Sequence, residues 1–260
     1  MIFDTHAHYD DSQFDEDRET VLNGLAAAGV GCVVDVGSTV QSLEKIRELT
    51  ERYPFVYGAV GLHPDEVGQL TPEIMEELEK LLQNPRILAV GEIGLDYHWD
   101  VEPHDVQIRC FQEQMRLARR CGKPIIVHSR TAAADTLQVI REMYEDSGIE
   151  LPGIIHSYSG SLEQAKIYTA MGFFLGIGGV VTYPNSKKLK KVVQGIPLSY
   201  LVLETDCPYL SPEEKRGSRN ISANLSYVVK AIAELKGVTE EEVERVTEAN
   251  ARRLFGLNAD

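Results

Sequence analysis

Eight times along the 260 residues a short apolar, β-branched run is followed by a stretch with helical spacing, and this alternation constrains the fold more than any other feature. The runs lie near 2–8 (IFDTHAH), 32–37, 56–62, 87–93, 123–128, 153–157, 173–178 and 200–205. They show little in/out alternation, as expected of strands in a parallel sheet covered on both faces. Enough chain separates them for one crossover helix each. Thr71-Pro72-Glu73 supplies an N-cap, a proline at the first helical position and an acid in the first turn. Segments 104–121 and 220–236 carry apolar residues at three- and four-residue spacing, and Thr239 with Glu242 heads a last helix over 240–254. No Pro/Gly/Ser-rich linker or composition break divides the chain. The expected fold is α/β: a single (β/α)8 barrel of the TIM type with an extra C-terminal helix, one domain over residues 1–260. An open doubly wound sheet is the alternative, because periodicity does not show closure.

The first residues, Met1 to His6, are not a basic segment leading into an apolar run, so no secretory leader is expected. No apolar stretch is long enough to span a bilayer, so no membrane partner is expected. The four cysteines (Cys32, Cys110, Cys121, Cys207) share no CxxC spacing and read as reduced thiols, which suits the cytoplasm. A formal net charge of −14 repels phosphate backbones over most of the surface and argues against broad duplex binding.

Seven histidines occur, and five of them (His6, His8, His63, His128, His156) fall at or just past the C-terminal ends of expected strands. Glu92 and Asp206 fall likewise, after the fourth and eighth strands. In a barrel these ends meet on the face where active sites are assembled. His6 and His8, two apart on a strand, point the same way. Each residue alone has an ordinary reading, as a hydrogen-bonded rim histidine or, for Asp206 before Pro208, a turn residue. Gathered on one face they read as metal ligands, and imidazole with carboxylate suits transition ions and zinc. The set His6, His8, Glu92, His128, His156 and Asp206 exceeds the needs of one tetrahedral ion. Two divalent ions would use all of it, with Glu92, central in strand order, as the candidate bridge. Magnesium, manganese and zinc are the candidate metals. His98 and His104 lack this placement and read as loop or helix-start residues.

Asp4-Thr5-His6-Ala7-His8, Gly61-Leu62-His63-Pro64, Gly91-Glu92-Ile93-Gly94-Leu95-Asp96-Tyr97, His128-Ser129-Arg130 and Thr205-Asp206-Cys207-Pro208-Tyr209-Leu210 together resemble the TatD-type metal-dependent hydrolases, in order from residue 2 to about 255. The resemblance implies a TIM barrel with a binuclear divalent-metal site and, for several members, metal-dependent deoxyribonuclease activity. It implies that His6 and His8 hold one ion, completed by Asp206, that His128 and His156 hold the other, and that Glu92 bridges them. The chain departs from the family pattern at His156-Ser157-Tyr158-Ser159-Gly160, where His-Cys-Phe-Ser-Gly is usual. Thr131-Ala132 stand where an acid and an alanine often follow His-Ser-Arg, and Ile221-Ser222 replace Glu-Pro after Arg219-Asn220. None of these positions is a proposed ligand; they bear on substrate.

Two divalent ions against two carboxylates leave such a site locally positive by about +2, able to polarise a phosphoryl or carbonyl oxygen and to acidify water. Asp206 is then the expected ligand and proton acceptor, Glu92 a catalytic ligand, and His63 a group that stabilises the transferred charge or protonates the leaving oxygen. Lys187, Lys188, Lys190 and Lys191 after strand seven, with Lys215, Arg216 and Arg219 after strand eight, stand where barrels commonly bind phosphate, although lysines at a helix start are often just solvated. Gly178-Gly179 would let backbone approach a ligand. Arg130 is a phosphate candidate because its fork binds two oxygens. Tyr97, Trp99 and Tyr158 would serve to stack a base. The substrate contacts expected are Arg130, Tyr158 and Arg219, and the expected partner is a DNA end or another phosphodiester. Phosphodiesterase action, in the form of a 3′-end exonuclease, is the leading reading. Hydrolysis of a small-molecule C–N or ester bond is the second, and a non-catalytic metal-bound scaffold the third. No lysine occupies the Glu92 position, which removes a carboxylated-lysine bridge.

Overall fold

The apolar runs are buried in the computed structural model, which describes residues 1–99, 101–144 and 152–257. In chain order the elements are β1 (Ile2–Ala7), α1 (Arg18–Gly24), β2 (Val30–Val36), α2 (Ser42–Arg52), β3 (Val56–Val60), α3 (Pro72–Leu81), β4 (Ile87–Asp96), α4 (His104–Cys121) and β5 (Ile125–Arg130). Then follow α5 (Ala133–Tyr144), β6 (Gly153–Ile155), α6 (Leu162–Ala170), β7 (Phe174–Ile177), α7 (Lys187–Gly195), β8 (Leu201–Leu203), α8 (Leu225–Lys236) and α9 (Glu240–Phe255). The strands close a parallel barrel in the order β1 to β8, so the fold is a (β/α)8 barrel with an added C-terminal helix, not an open sheet. Among the described residues no helix is long and apolar enough to cross a membrane. All four cysteines are free thiols.

The chain falls into two compact units, one of Met1–Asp35, Ser157–Ala170 and Phe174–Asp260, the other of Val36–His156 with Met171–Phe173. In the first, β1 pairs with β2 (Phe3 with Cys32) and with β8 (Asp4 with Leu203), and β7 pairs with β8 (Leu175 with Leu201). The extra helix α9 covers β1, with the Phe255 ring 5.9 Å from that of Phe3. Its start is as expected: Thr239 Oγ1 accepts from the Glu242 N–H at 3.2 Å, and Glu240, Glu241 and Glu242 meet the positive end of the helix dipole. Helix α8 begins at Leu225, not at 220. Residues before it are taken up in loop contacts, the Asn220 amide donating to the carbonyls of Thr205 (3.0 Å) and Tyr209 (2.9 Å) and the Ser222 hydroxyl to Asp4 (2.6 Å).

In the second unit β3, β4, β5 and β6 pair successively, for example Val60 with Val90 and Val127 with Ile155. Strand β4 runs past its expected end at 93 to Asp96, which pairs with Arg130. Two buried glutamines of α4, one heptad apart, hold strand ends in place. The Gln107 amide brackets Asp96, accepting from its N–H at 2.9 Å and donating to its C=O at 3.0 Å, and Gln114 brackets Leu62 in the same way at 2.8 and 3.1 Å. A fully buried amide so paired loses no hydrogen bond on folding. The Thr71 cap of α3 is present, its hydroxyl accepting from the Ile74 N–H at 3.3 Å. Strands β6 and β8 stop at 155 and 203, short of the expected 157 and 205. Ser157 and Asp206 have φ of 43° and 58°, in the left-handed region, which ends an extended run.

Candidate metal centre

Two clusters of imidazole and carboxylate form, one in each unit. In the first unit His6 is the penultimate residue of β1 and His8 follows the strand, so their rings share a side. The two Nε2 atoms lie 3.1 Å apart, and Asp206 Oδ1 lies 3.8 Å from the first and 3.3 Å from the second. A triangle with those edges has its centre about 2 Å from every corner, which is the length of a zinc–nitrogen or zinc–oxygen bond. The donor set therefore fits a divalent transition ion without rearrangement of these three side chains.

Hydrogen bonds below the triangle fix it. The fully buried Asp4 carboxylate accepts from the Thr205 N–H (3.0 Å), the Thr205 hydroxyl (2.6 Å), the Ser222 hydroxyl (2.6 Å) and the His6 N–H (3.3 Å). Burial outweighs those donors and pushes the Asp4 carboxyl up to about 7. The Asp206 N–H donates to the His6 carbonyl at 2.9 Å, and the His8 N–H to the Cys207 carbonyl at 2.8 Å. Behind His8, Asp10 lies 3.9 Å from Nδ1, and burial raises the carboxyls of both Asp10 and Asp35. Cys207 is packed out of contact with solvent, and burial raises its thiol further from ionisation.

In the second unit Glu92 on β4 meets His128 on β5, with His128 Nδ1 2.7 Å from Glu92 Oε1, and His156 Nε2 lies 3.7 Å from the same oxygen. His63, Glu92 and His128 each offer a ligand atom within 4.8 Å of the others, a second donor set of the type that binds zinc, manganese or iron. Residues 92, 94 and 96 share a face of β4, and Asp96 Oδ2 reaches His128 Nε2 at 3.0 Å. Burial lowers the His128 imidazole, but the hydrogen bonds to Asp96 and Glu92 win and hold it up at about 9. Burial raises Asp96, and its bond to His128 and the N–H groups of His98 and Trp99 win, leaving it at about 2. His63 Nδ1 accepts the Asp65 N–H at 3.2 Å, so in the neutral ring the proton sits on Nε2.

Asp96 was not singled out by the sequence reading, although its parity with Glu92 on one strand was the signal that could have found it. Asp65, which groups with His63 and Asp96, and Asp4 were also missed. His104 is the first residue of α4 and His98 lies in the loop before it, as expected.

A cavity of about 210 Å³ opens beside Asp206, lined also by Tyr158, Gly178, Asn185, Lys188 and Glu204. Among the basic residues after β7 and β8, Lys188 lines this cavity. Lys190 donates to the Tyr183 carbonyl at 2.8 Å, Lys215 lies over the Tyr227 ring, and Arg216 pairs with Glu213 at 2.8 Å. Arg219 pairs with Asp17 at 2.6 Å, donates to the Gln13 carbonyl and covers the Phe14 ring. Tyr158 is buried with its hydroxyl on the Ser161 carbonyl at 2.6 Å. Gly179 answers to packing: a Cβ there would stand 2.3 Å from the Leu210 carbonyl oxygen, so its bare backbone admits the loop at 210–212 and not a ligand.

A family model described as TatD related DNase matches residues 3–256. The chain is 41% identical over 258 residues to the "uncharacterized metal-dependent hydrolase YabD" of Bacillus subtilis, covering 99% of this chain and 100% of that protein. It is 31% identical over 264 residues to a "3'-5' ssDNA/RNA exonuclease TatD" of Cronobacter sakazakii, covering 99% of both. The crystal structure of YjjV, a TatD homologue from Escherichia coli, superposes with a TM-score of 0.91 at 31% identity over 99% of this chain and 98% of that one. The chain belongs to the TatD family of metal-dependent hydrolases.

Proposed function

We propose that this hydrolase is a phosphodiesterase that removes nucleotides from the 3′ ends of DNA or a related nucleic acid with two divalent ions, magnesium, manganese or zinc. The observation that carries the reading is the His6–His8–Asp206 donor triangle beside a cavity whose lining includes Lys188. His6, His8 and Asp206 would hold one ion, and Glu92, His128 and His156 the other. Bound there, the ions supply a Lewis acid for the phosphoryl oxygens and bring the pKa of water towards neutrality. Asp206 takes the proton of the attacking water on its carboxylate. His63, with its proton on Nε2, donates to an oxygen of the transferred or leaving group. Arg130 grips the phosphate through its planar fork. The name of the Cronobacter relative, an exonuclease on single strands, supports this substrate class. The free thiols suit a reducing compartment, the cytoplasm.

The test loads purified protein with Mg²⁺, Mn²⁺ or Zn²⁺ and offers end-labelled single-stranded DNA beside a panel of esters, lactones and amides. Shortening of DNA from the 3′ end, lost by at least about a hundredfold in Asp206→Asn with the fold retained, is expected. Turnover of a lactone or amide with no cleavage of any phosphodiester would overturn the proposal.

A further inference from the structure

The loop after β4 presents the chain's single tryptophan to solvent. Trp99 is 61% exposed, the bulkiest side chain among those the fold leaves uncovered. An indole costs free energy in water, yet this one is held in place. The Trp99 backbone N–H donates to Asp96 Oδ1 at 3.3 Å, and the His98 ring meets the indole edge-on at 4.8 Å. The Arg130 guanidinium lies over the indole, 5.2 Å from its centroid. Among the described residues no carboxylate stands within ion-pair distance of that guanidinium, and Arg130 itself is exposed. The guanidinium therefore sits on an exposed aromatic plate, with Asp65 near enough to feel its charge and no ion pair formed among the described residues.

We propose that Trp99 and Arg130 form the seat for an unpaired base of the substrate strand, the base stacking on the open indole face and the adjoining phosphate meeting the guanidinium. The inference rests on the phosphodiesterase reading and specifies its substrate: a strand whose bases are unstacked. Tyr97 is excluded from this role because its ring stacks on His104 at 3.5 Å and its hydroxyl donates to Asp135 at 2.9 Å. The seat is tied to the chemistry by one carboxylate. Asp96 Oδ1 takes the backbone N–H groups of His98 and Trp99, and Asp96 Oδ2 takes His128 Nε2. Arg130 stands two residues beyond His128 on β5. A base on Trp99 is thus held at a fixed distance from a candidate ligand. Stacking reads no base edge, so the preference is for single strands and not for a sequence. It also accounts for how a chain of net charge −14 engages a polyanion, by a local contact in place of a broad basic face.

Trp99 reports on its own role, because all indole emission comes from it. Metal-loaded protein is mixed with oligothymidylate in a stopped-flow fluorimeter, before cleavage, and in parallel KM and kcat are measured for Trp99→Ala, Trp99→Phe and Arg130→Ala. Saturable quenching is expected, with KM raised roughly tenfold in Trp99→Ala at unchanged kcat and largely restored in Trp99→Phe. An oligonucleotide made abasic at its 3′-terminal residues is expected to show the raised KM with the parent and no further rise with Trp99→Ala. Arg130→Ala is expected to raise KM and to weaken its salt dependence. Unquenched emission on saturating binding, or an unchanged KM in Trp99→Ala, overturns the seat. A parent that quenches on binding but cleaves no phosphodiester leaves the seat standing and removes the phosphodiesterase reading.

Discussion

Arg86 ties the end of α2 to the start of β3, and its removal measures how far one guanidinium supports the unit that carries Glu92 and His128. Its Nε donates to the Thr50 carbonyl at 2.7 Å, and Nη2 donates to the carbonyls of Tyr53 (3.1 Å), Pro54 (2.8 Å) and Val56. The Thr50 carbonyl is one of the last-turn acceptors a helix leaves without an internal partner, and a cation there also meets the negative end of the dipole. The guanidinium lies 4.6 Å from the centre of the Tyr57 ring. A hydrogen bond from a charged donor contributes about 1.5–3 kcal/mol. The carbonyls around Pro54 recover water once Arg86 is cut back, so the contributions do not add in full. Arg86→Ala is expected to cost about 3 kcal/mol, which lowers Tm by roughly 6–12 °C in a chain of this size. Arg86→Lys recovers a minority of that, because one ammonium nitrogen cannot meet the Thr50 carbonyl and the carbonyls around Pro54 together, as Nε and Nη2 do. Arg52→Ala, at the same helix end, removes a cation that lies over the Tyr53 ring and serves as the comparison. Thermal unfolding followed by circular dichroism, with chelator present in every sample, reads all three. A loss under about 1 kcal/mol, or a lysine variant as stable as the parent, would refute the reasoning.

Glycine substitutions should separate two reasons for the residue: Gly24→Ala, at the end of α1 with nothing within 4 Å of a new Cβ, is expected to gain about 0.5–1 kcal/mol, whereas Gly179→Ala, 2.3 Å from the Leu210 oxygen, loses about 2 kcal/mol or more in urea titrations. In metal-free protein the His128 imidazole, held up at about 9 against 6.5 in the unfolded chain, contributes stability that is whole below pH 6.5 and is lost as pH rises through 9. The loss amounts to at most about 3 kcal/mol, and Asp96→Asn should flatten it; equal pH slopes for parent and variant in denaturant titrations would count against the assigned hydrogen bond.

The parts of the molecule that sequence reveals are those in which a pattern repeats. Eight apolar runs announce eight strands because each buries both faces, and Thr71 and Thr239 announce helix starts because a cap acts on the N–H groups of the next turn. His6, His8, Glu92, His128, His156 and Asp206 were found by their place after such runs, and the structure groups three of them in each unit. What escaped is polar, buried and paired over long stretches of chain. Gln107 and Gln114 look like the wet side of an amphipathic helix, and only the backbone of Asp96 and Leu62 explains why they are dry. Asp4 and Ser222 meet across 218 positions, a separation that leaves no local trace. Asp96 is the instructive case. Apolar periodicity ends at Ile93 and marks the strand's end there, yet pairing continues to the Arg130 register and carries a second carboxylate onto the Glu92 face. Apolar side chains mark the stretch of a strand that lies in the core, whereas chemistry needs the polar residues that the same strand carries beyond it. The end of a strand, where the pattern fades, is therefore the place to extend the pairing by parity and look for ligands, and in this chain two such steps from Glu92 reach the residue that holds both His128 and Trp99.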